Sequence, residues 1–123
     1  MLDAVTVRKP AETTWWWLAK AATGALIVVL IGLHFTVNHL IAQGGLLTYA
    51  DVVAYYQNPA IPVIEILFLA VVVTHALVGL RGILLDLRPS PGVLNTVTVA
   101  LFGVGIVSII YGTWLIIVIV GRG

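Results

Sequence analysis

Residues 61–87 read IPVIEILFLAVVVTHALVGLRGILLDL, and this stretch decides the fold. Its formally charged residues are Glu65, Arg81 and Asp86, of which the last two lie close to its end. A helix that crosses a membrane needs about 20 mostly apolar residues, so the stretch predicts a transmembrane helix. His75 lies within this helix, where an ionisable side chain is costly and is a candidate functional residue.

Two further apolar runs, residues 15–41 and 93–120, predict transmembrane helices on either side of the first. The connection LRPSPG at 87–92 is a tight Pro/Gly turn, which predicts that the second and third helices are antiparallel neighbours. Residues 48–56 predict a short interfacial helix. We therefore predict an all-α fold, a bundle of three transmembrane helices, in a single domain over residues 1–123.

The composition agrees with a membrane protein. The chain is 61% hydrophobic and 9% charged, whereas a soluble domain is about a quarter charged. Its net charge of +1 excludes the dense basic surface that nucleic-acid binding requires, so the expected surroundings are the lipid bilayer and no nucleic acid. Without cysteine the chain forms no disulfide, thiolate zinc site, Cys-ligated iron-sulfur cluster or covalently attached haem. Metal chemistry must use histidine, carboxylate or other oxygen ligands.

The distribution of basic residues predicts the orientation in the membrane. The loop 42–60 has no Lys or Arg, and the C-terminal tail has only Arg122. The other five of the six basic residues come before or early in the first helix or near the 87–92 turn: Arg8, Lys9, Lys20, Arg81 and Arg88. Because basic residues favour the cytoplasmic side, we expect the N-terminus in the cytoplasm and the C-terminus outside. The lack of an Arg-rich amphipathic start favours the cytoplasmic (inner) membrane of a prokaryote.

One stripe of the second helix is a candidate cofactor surface. His75, Gly79, Gly82 and Asp86 lie at i, i+4, i+7 and i+11 and therefore share one helix face. Glycines beside a buried imidazole allow a flat macrocycle to lie against the helix, as at an axial haem ligand. Small residues at this spacing are equally typical of close helix packing, with the histidine hydrogen-bonded across the interface.

The remaining ionisable residues leave several interpretations open. His34 and His39 of the first helix are five residues apart and differ in direction by about 140°, and His34 is the better candidate for a buried ligand. Glu65, placed in the first turn of the second helix, either interacts with the helix dipole or handles protons near a cofactor at the outer side. Arg81 is within reach of the membrane surface and of either a haem propionate or a lipid phosphate.

The residues resemble a known family. HALVGLRGILLDL at 75–87 is similar to the second-helix signature of the hydrophobic membrane-anchor subunits of succinate dehydrogenase, in which a haem-ligating His is followed by Gly and Asp at four and eleven residues. TGALIVVLIGLHF at 23–35 resembles the family's first-helix motif of a small hydroxyl residue and Gly followed by His. WWWLAK at 15–20 also looks like the small cytochrome b-type anchor.

The resemblance implies a subunit of succinate:quinone oxidoreductase (complex II of the respiratory chain, an enzyme of the tricarboxylic acid cycle) that is not itself the catalytic centre. Its partners would be a flavoprotein, an iron-sulfur subunit and a second membrane anchor, with which this chain forms a heterodimeric anchor. One or two b-type haems, shared with that second anchor, would carry electrons to the substrate quinone.

Carried over to this chain, the family's motifs assign residues to each role. His75 would be an axial ligand of haem iron near the cytoplasm, and His34 would ligate a second haem. Gly79, Gly82 and Arg81 would complete the cofactor surface. Residues close to the quinone would be Asp86, Lys20 and Thr23, where Lys20 and Thr23 match an Arg and a Ser of the family only approximately.

Two alternatives belong to other classes of protein. A small transporter or channel subunit would use Glu65 for coupling. A purely structural anchor would keep the three helices without haem.

Overall fold

The computed structural model describes residues 13–41 and 48–123 and is built from helices. They are α1 (Thr14–Phe35), α2 (Tyr49–Tyr56), α3 (Ala60–Asp86) and α4 (Pro91–Val120). Each of α1, α3 and α4 is long and apolar enough to cross a membrane, and no strand occurs in the described ranges. The predicted all-α bundle of three transmembrane helices is therefore confirmed. Two of the basic residues used for the orientation, Arg8 and Lys9, lie outside the described residues.

Local sequence signals explain where the helices begin and end. Thr48 and Asp51 form a capping box at the start of α2, in which each side chain accepts a hydrogen bond from the other's backbone N–H. Ser90 caps α4 and is followed by Pro91, whose ring suits the first helical position. After α3, Arg88 adopts a left-handed conformation with φ of 53°, which turns the chain toward α4.

The first transmembrane helix ends differently from the expectation of one continuous α-helix over 15–41. Residues Thr36–Ile41 form a π-helical turn directly after α1. In this turn the side chain of Asn38 is buried and donates a hydrogen bond of 2.8 Å to the backbone carbonyl of His34. Such turns are frequent at functional sites, and this one lies beside a candidate ligand.

The helix α3 lies between α1 and α4 and packs against both. On the α4 side, Leu77 and Leu69 pack directly against the backbone, because a Cβ added at Gly105 or Gly112 would lie 2.6 or 2.5 Å from a leucine methyl group. The helix α2 contacts α3 and α4 at the opposite end from the 87–90 turn. We call these two ends of the bundle the turn end and the α2 end.

Most apolar side chains face outward from this row of helices. Val28, Ile83 and Val107 are each at least 65% exposed, as is usual for surfaces that contact lipid or another protein. The few buried apolar side chains lie along the contacts between helices: Leu30, Ile61, Val71, Val78, Leu85 and Ile116. The bundle therefore depends on its surroundings to cover its outer faces.

Candidate functional site

His75 lies near the middle of α3 and is held by a residue of α1. Its Nδ1 atom is 3.0 Å from the hydroxyl oxygen of Thr23. The adjacent Gly24 makes this approach possible, because a Cβ there would lie 3.2 Å from Cε1 of the imidazole ring. The small-residue pair at 23–24 therefore lets the imidazole pack against the backbone of α1.

The hydroxyl of Thr23 determines which nitrogen of His75 carries hydrogen. Thr23 Oγ1 lies 2.5 Å from the backbone carbonyl of Ala19 and donates its single hydrogen there, so it accepts the bond from His75. The hydrogen is then on Nδ1, and Nε2 keeps its lone pair. No described residue hydrogen-bonds to Nε2. A neutral imidazole oriented through Nδ1 is the form that binds metals through Nε2.

His34, near the end of α1, is held in a similar way by an acidic residue of α3. Its Nδ1 atom is 2.9 Å from Glu65 Oε1. The carboxyl group is almost buried, with 10% of its side chain exposed, whereas 38% of the His34 side chain is exposed. Tyr55 of α2 donates a longer hydrogen bond of 3.3 Å to the same carboxyl oxygen. An ionised carboxylate only accepts hydrogen bonds, so beside it His34 carries a hydrogen on Nδ1.

The position of Glu65 corrects one interpretation. Glu65 was expected in the first turn of its helix, but α3 begins at Ala60 and has no acidic residue in its first turn. The effect of the helix dipole is small beyond that turn, so it does not explain the carboxyl group. The hydrogen bonds of Glu65 with His34 and Tyr55 explain why a carboxyl group lies at this position. Sequence reasoning missed this pair because the two residues are 31 positions apart.

The carboxyl group of Glu65 also affects the pKa values of Tyr55 and Tyr56 in α2. Burial, together with the charge of Glu65, raises the pKa of Tyr55 from 10.0 to about 12. Burial and the same charge also raise the pKa of Tyr56. Both phenols are therefore held in the protonated form, in which Tyr55 donates to Glu65.

Arg81 of α3 contacts both neighbouring helices, through Thr98 of α4 and Trp16 of α1. Its Nε atom donates a hydrogen bond of 3.2 Å to Thr98 of α4, and its guanidinium lies 4.3 Å from the centre of the Trp16 ring. The aromatic ring of Phe102 packs edge-on against Trp16. The structure thus brings His75 together with Thr23, and Arg81 with Thr98, on two different neighbours of α3.

The other predicted residues occupy the following positions. At Gly79 an added Cβ would meet nothing within 4 Å, so that part of α3 is open. Asp86 is the last residue of α3 and is exposed, and Lys20 lies on α1 three residues before Thr23. Within residues 13–41 and 48–123, no group of three or more His, Asp or Glu side chains could hold a metal ion. A metal bound among these residues would therefore take at most two such ligands from one copy of the chain.

Comparison with known proteins agrees with this architecture. Residues 2–112 match the family described as succinate dehydrogenase/fumarate reductase transmembrane subunit. The chain belongs to this family. A succinate dehydrogenase hydrophobic membrane anchor subunit from Archaeoglobus fulgidus is 33% identical over 103 residues, which cover 81% of this chain and 85% of the relative. One from Thermoplasma acidophilum is 26% identical over 101 residues, 82% of each. No solved structure matches.

Membership confirms the resemblance stated above. The chain is a multi-pass membrane-anchor subunit, and it works within an enzyme complex that contains other subunits. The family favours this assignment over a transporter that uses Glu65. The assignments of haem ligands and residues close to quinone in this anchor stay predictions, to which the structure adds the oriented imidazoles of His75 and His34.

Proposed function

We propose that this anchor subunit holds b-type haem through His75 and forms part of the electron path to quinone. The observation that carries the proposal is the hydrogen bond from His75 Nδ1 to Thr23 Oγ1, which leaves Nε2 with a lone pair. The open space at Gly79, one turn along α3, is compatible with a flat macrocycle beside the helix. The residues of this chain therefore fit an axial haem ligand.

Haem bound at this position supplies a one-electron carrier within the membrane. The contribution of the chain is to orient His75 through Thr23 and to exclude bulk water with its apolar helices. Thr23 fixes the imidazole in one tautomer, so the nitrogen that faces away from α1 is the basic one. Hydrogen bonding at Nδ1 also raises the basicity of the ligating nitrogen.

The second axial ligand would come from the other membrane anchor. The chain contains three histidines, and the other two, His34 and His39, are at the α2 end. Glu65, which contacts His34, is ten residues from His75, about 15 Å along α3. No second histidine of the same copy reaches His75, which supports a haem shared between two chains. His34, oriented by Glu65, is the corresponding candidate for a second haem.

The turn end would face the cytoplasm and the flavoprotein and iron-sulfur subunits. Lys20, Arg81 and Arg88 belong to this end, while residues 48–60 at the α2 end have no Lys or Arg. Asp86 and Lys20 are the candidates for quinone contacts, because they lie at the same end as His75. Thr23 contacts His75 directly, so its contribution to a quinone site would be through that histidine.

Replacement of His75 by Ala tests the proposal. We expect the purified complex of His75→Ala to lose a b-type haem band in its reduced-minus-oxidised spectrum, while flavin and iron-sulfur subunits still copurify. His39→Ala is the matched control, because His39 is exposed and its ring contacts only Phe35 among the aromatic rings described. Unchanged haem content in His75→Ala would refute the proposal, and a colourless wild-type complex would identify a haem-free structural anchor. If two haems are present, His34→Ala should remove only one.

A further inference from the structure

A groove between α3 and α4 has no role in the proposed haem site. Its volume is about 240 Å³, and most of the side chains that line it are apolar, among them Val73, Leu77, Leu101, Ile106 and Ile109. The polar side chains that line it include Arg81 and Thr98, which are joined by a hydrogen bond at the turn end. The groove is thus mainly apolar, with a cation near one end.

The guanidinium of Arg81 has spare hydrogen-bonding capacity. Of its five N–H donors, Nε–H is used by Thr98, and that hydroxyl gives its own hydrogen to the carbonyl of Leu94. The ring of Trp16 covers one face of the guanidinium. Among the described residues, no carboxylate forms an ion pair with Arg81. The cation is held in one place with its terminal N–H groups still able to bind an anion.

The depth of Arg81 in the membrane matches a lipid phosphate. Val73 is the midpoint of α3, and Arg81 is eight residues further on, about 12 Å along the axis. The hydrocarbon core extends about 15 Å from its midplane. The Arg81 backbone therefore lies just inside the boundary, and its side chain reaches the headgroup level. The groove lining runs from Arg81 back to Val73, toward the middle of the bilayer.

We propose that this groove binds an anionic phospholipid, with one acyl chain between α3 and α4 and the phosphate on Arg81. Charge complementarity selects the anionic lipid, since its phosphate gives the guanidinium a charged hydrogen-bond acceptor and a neutral quinone head does not. The groove is separate from the candidate haem ligand, because neither His75 nor its partner Thr23 lines it. The proposal holds whether or not the complex contains haem.

Lipid retention by the purified complex tests the role of Arg81. The complex is exchanged into nanodiscs of equal parts phosphatidylglycerol and phosphatidylcholine, released into detergent, and examined by native mass spectrometry. We expect the wild type to retain phosphatidylglycerol preferentially and Arg81→Leu to retain at least about tenfold less, the loss of one hydrogen bond to a charged group. Arg88→Leu removes the same charge at an exposed position outside the groove and should retain the lipid.

The spectrum of the same samples separates this site from the haem. The family resemblance places Arg81 on the cofactor surface, so the b-type band of Arg81→Leu is measured together with its lipid retention. Equal lipid retention in Arg81→Leu and wild type overturns the proposal. So does loss of haem with the lipid retained, which would assign Arg81 to a propionate.

A measurement on the unmodified chain covers the case in which Arg81→Leu does not assemble. Phosphatidylglycerol with a photoreactive group on its acyl chain is crosslinked to the wild-type complex, and adducts are located by peptide mass spectrometry. We expect adducts at Leu101 and Ile109, which line the groove, over Val104 and Val107, which are exposed on α4 outside it. Equal labelling of both pairs would show that bulk lipid contacts α4 without a specific site, and would overturn the proposal. Labelling of the groove by a photoreactive quinone, with phosphatidylglycerol failing to compete, would identify a different occupant.

Discussion

The two ends of the bundle orient a histidine by different chemistry. Near the middle of α3, on the side of the turn end, His75 donates to the hydroxyl of Thr23 on α1, whereas at the α2 end His34 of α1 donates to the carboxyl group of Glu65 on α3. In both cases Nδ1 is hydrogen-bonded, and no described residue bonds to Nε2. A hydroxyl orients an imidazole without charge, while a carboxylate also stabilises positive charge on it. The same ligand geometry is thus built with a pH-independent partner at one end and an ionisable partner at the other.

Removal of the Glu65 carboxyl group should have the largest effect on the stability of either histidine contact. Glu65→Leu leaves the N–H of His34 and the O–H of Tyr55 without their acceptor. We expect a loss of about 1 kcal/mol or more in the free energy of unfolding of the purified complex, because two partly buried donors lose their acceptor and each such hydrogen bond contributes about 0.5–1.5 kcal/mol. Glu65→Gln keeps an acceptor oxygen and should lose about 1 kcal/mol or less. Equal losses in the two variants would show that the hydrogen bonds contribute little.

A double-mutant cycle of Glu65→Leu with His34→Ala isolates the pair itself. We expect a coupling free energy of about 0.5–3 kcal/mol, as for residues in direct contact. Additive effects would contradict the contact between His34 and Glu65.

At the turn end, Thr23→Val removes the acceptor of His75 with little change in shape. We expect a loss of about 1 kcal/mol in the free energy of unfolding, because one neutral hydrogen bond is lost. Under the proposed function, the band position or midpoint potential of the haem bound by His75 should also shift. Thr23→Ser keeps the hydroxyl and should retain the wild-type spectrum. A shift of the same size in Thr23→Ser would mean that the methyl group, and not the hydroxyl, positions the ring.

The smallest expected effect is a loss of stability at alkaline pH, which involves only the α2 end. The pKa of Tyr55 is raised from 10.0 to about 12, so the folded state retains this proton more strongly than the unfolded state. The associated stability is fully present below pH 10 and is lost as pH rises toward 12. Tyrosinate absorbance should show a late-titrating component to which Tyr55 and Tyr56 contribute. Tyr55→Phe should reduce this component, and Glu65→Leu should move it to lower pH. A wild-type titration without that component would contradict the buried Tyr55–Glu65 contact.

Much of the fold could be predicted from the chain because hydropathy acts locally. Twenty or more apolar residues in succession leave the backbone no solvent partners in a bilayer, so each run must form a helix. The helices α3 and α4 begin and end within two residues of the predicted runs 61–87 and 93–120. The π-helical turn at Thr36–Ile41 was not predicted, since no local signal separates it from a continuing α-helix.

The residues of the candidate site could be predicted from the sequence, whereas most of their contacts with other helices could not. His75 and His34 were identified because ionisable side chains in apolar helices are rare and costly. Their partners lie on other helices, and helical periodicity does not specify which neighbour a face meets. Periodicity did not indicate that Thr23 contacts His75, or that Arg81 contacts Thr98 of α4 and Trp16 of α1.

By itself, the sequence determined that the chain is a three-helix membrane protein without thiolate chemistry, and it singled out the histidines. Apolar runs and residue chemistry are properties of single segments, and they act wherever the segments lie. Only the tertiary structure decided that Thr23 orients His75, that Glu65 orients His34 and that Arg81 closes a separate groove with Thr98. These pairings depend on the rotation and height of α1 and α4 against α3, which are set by close packing between helices and not by any one of them.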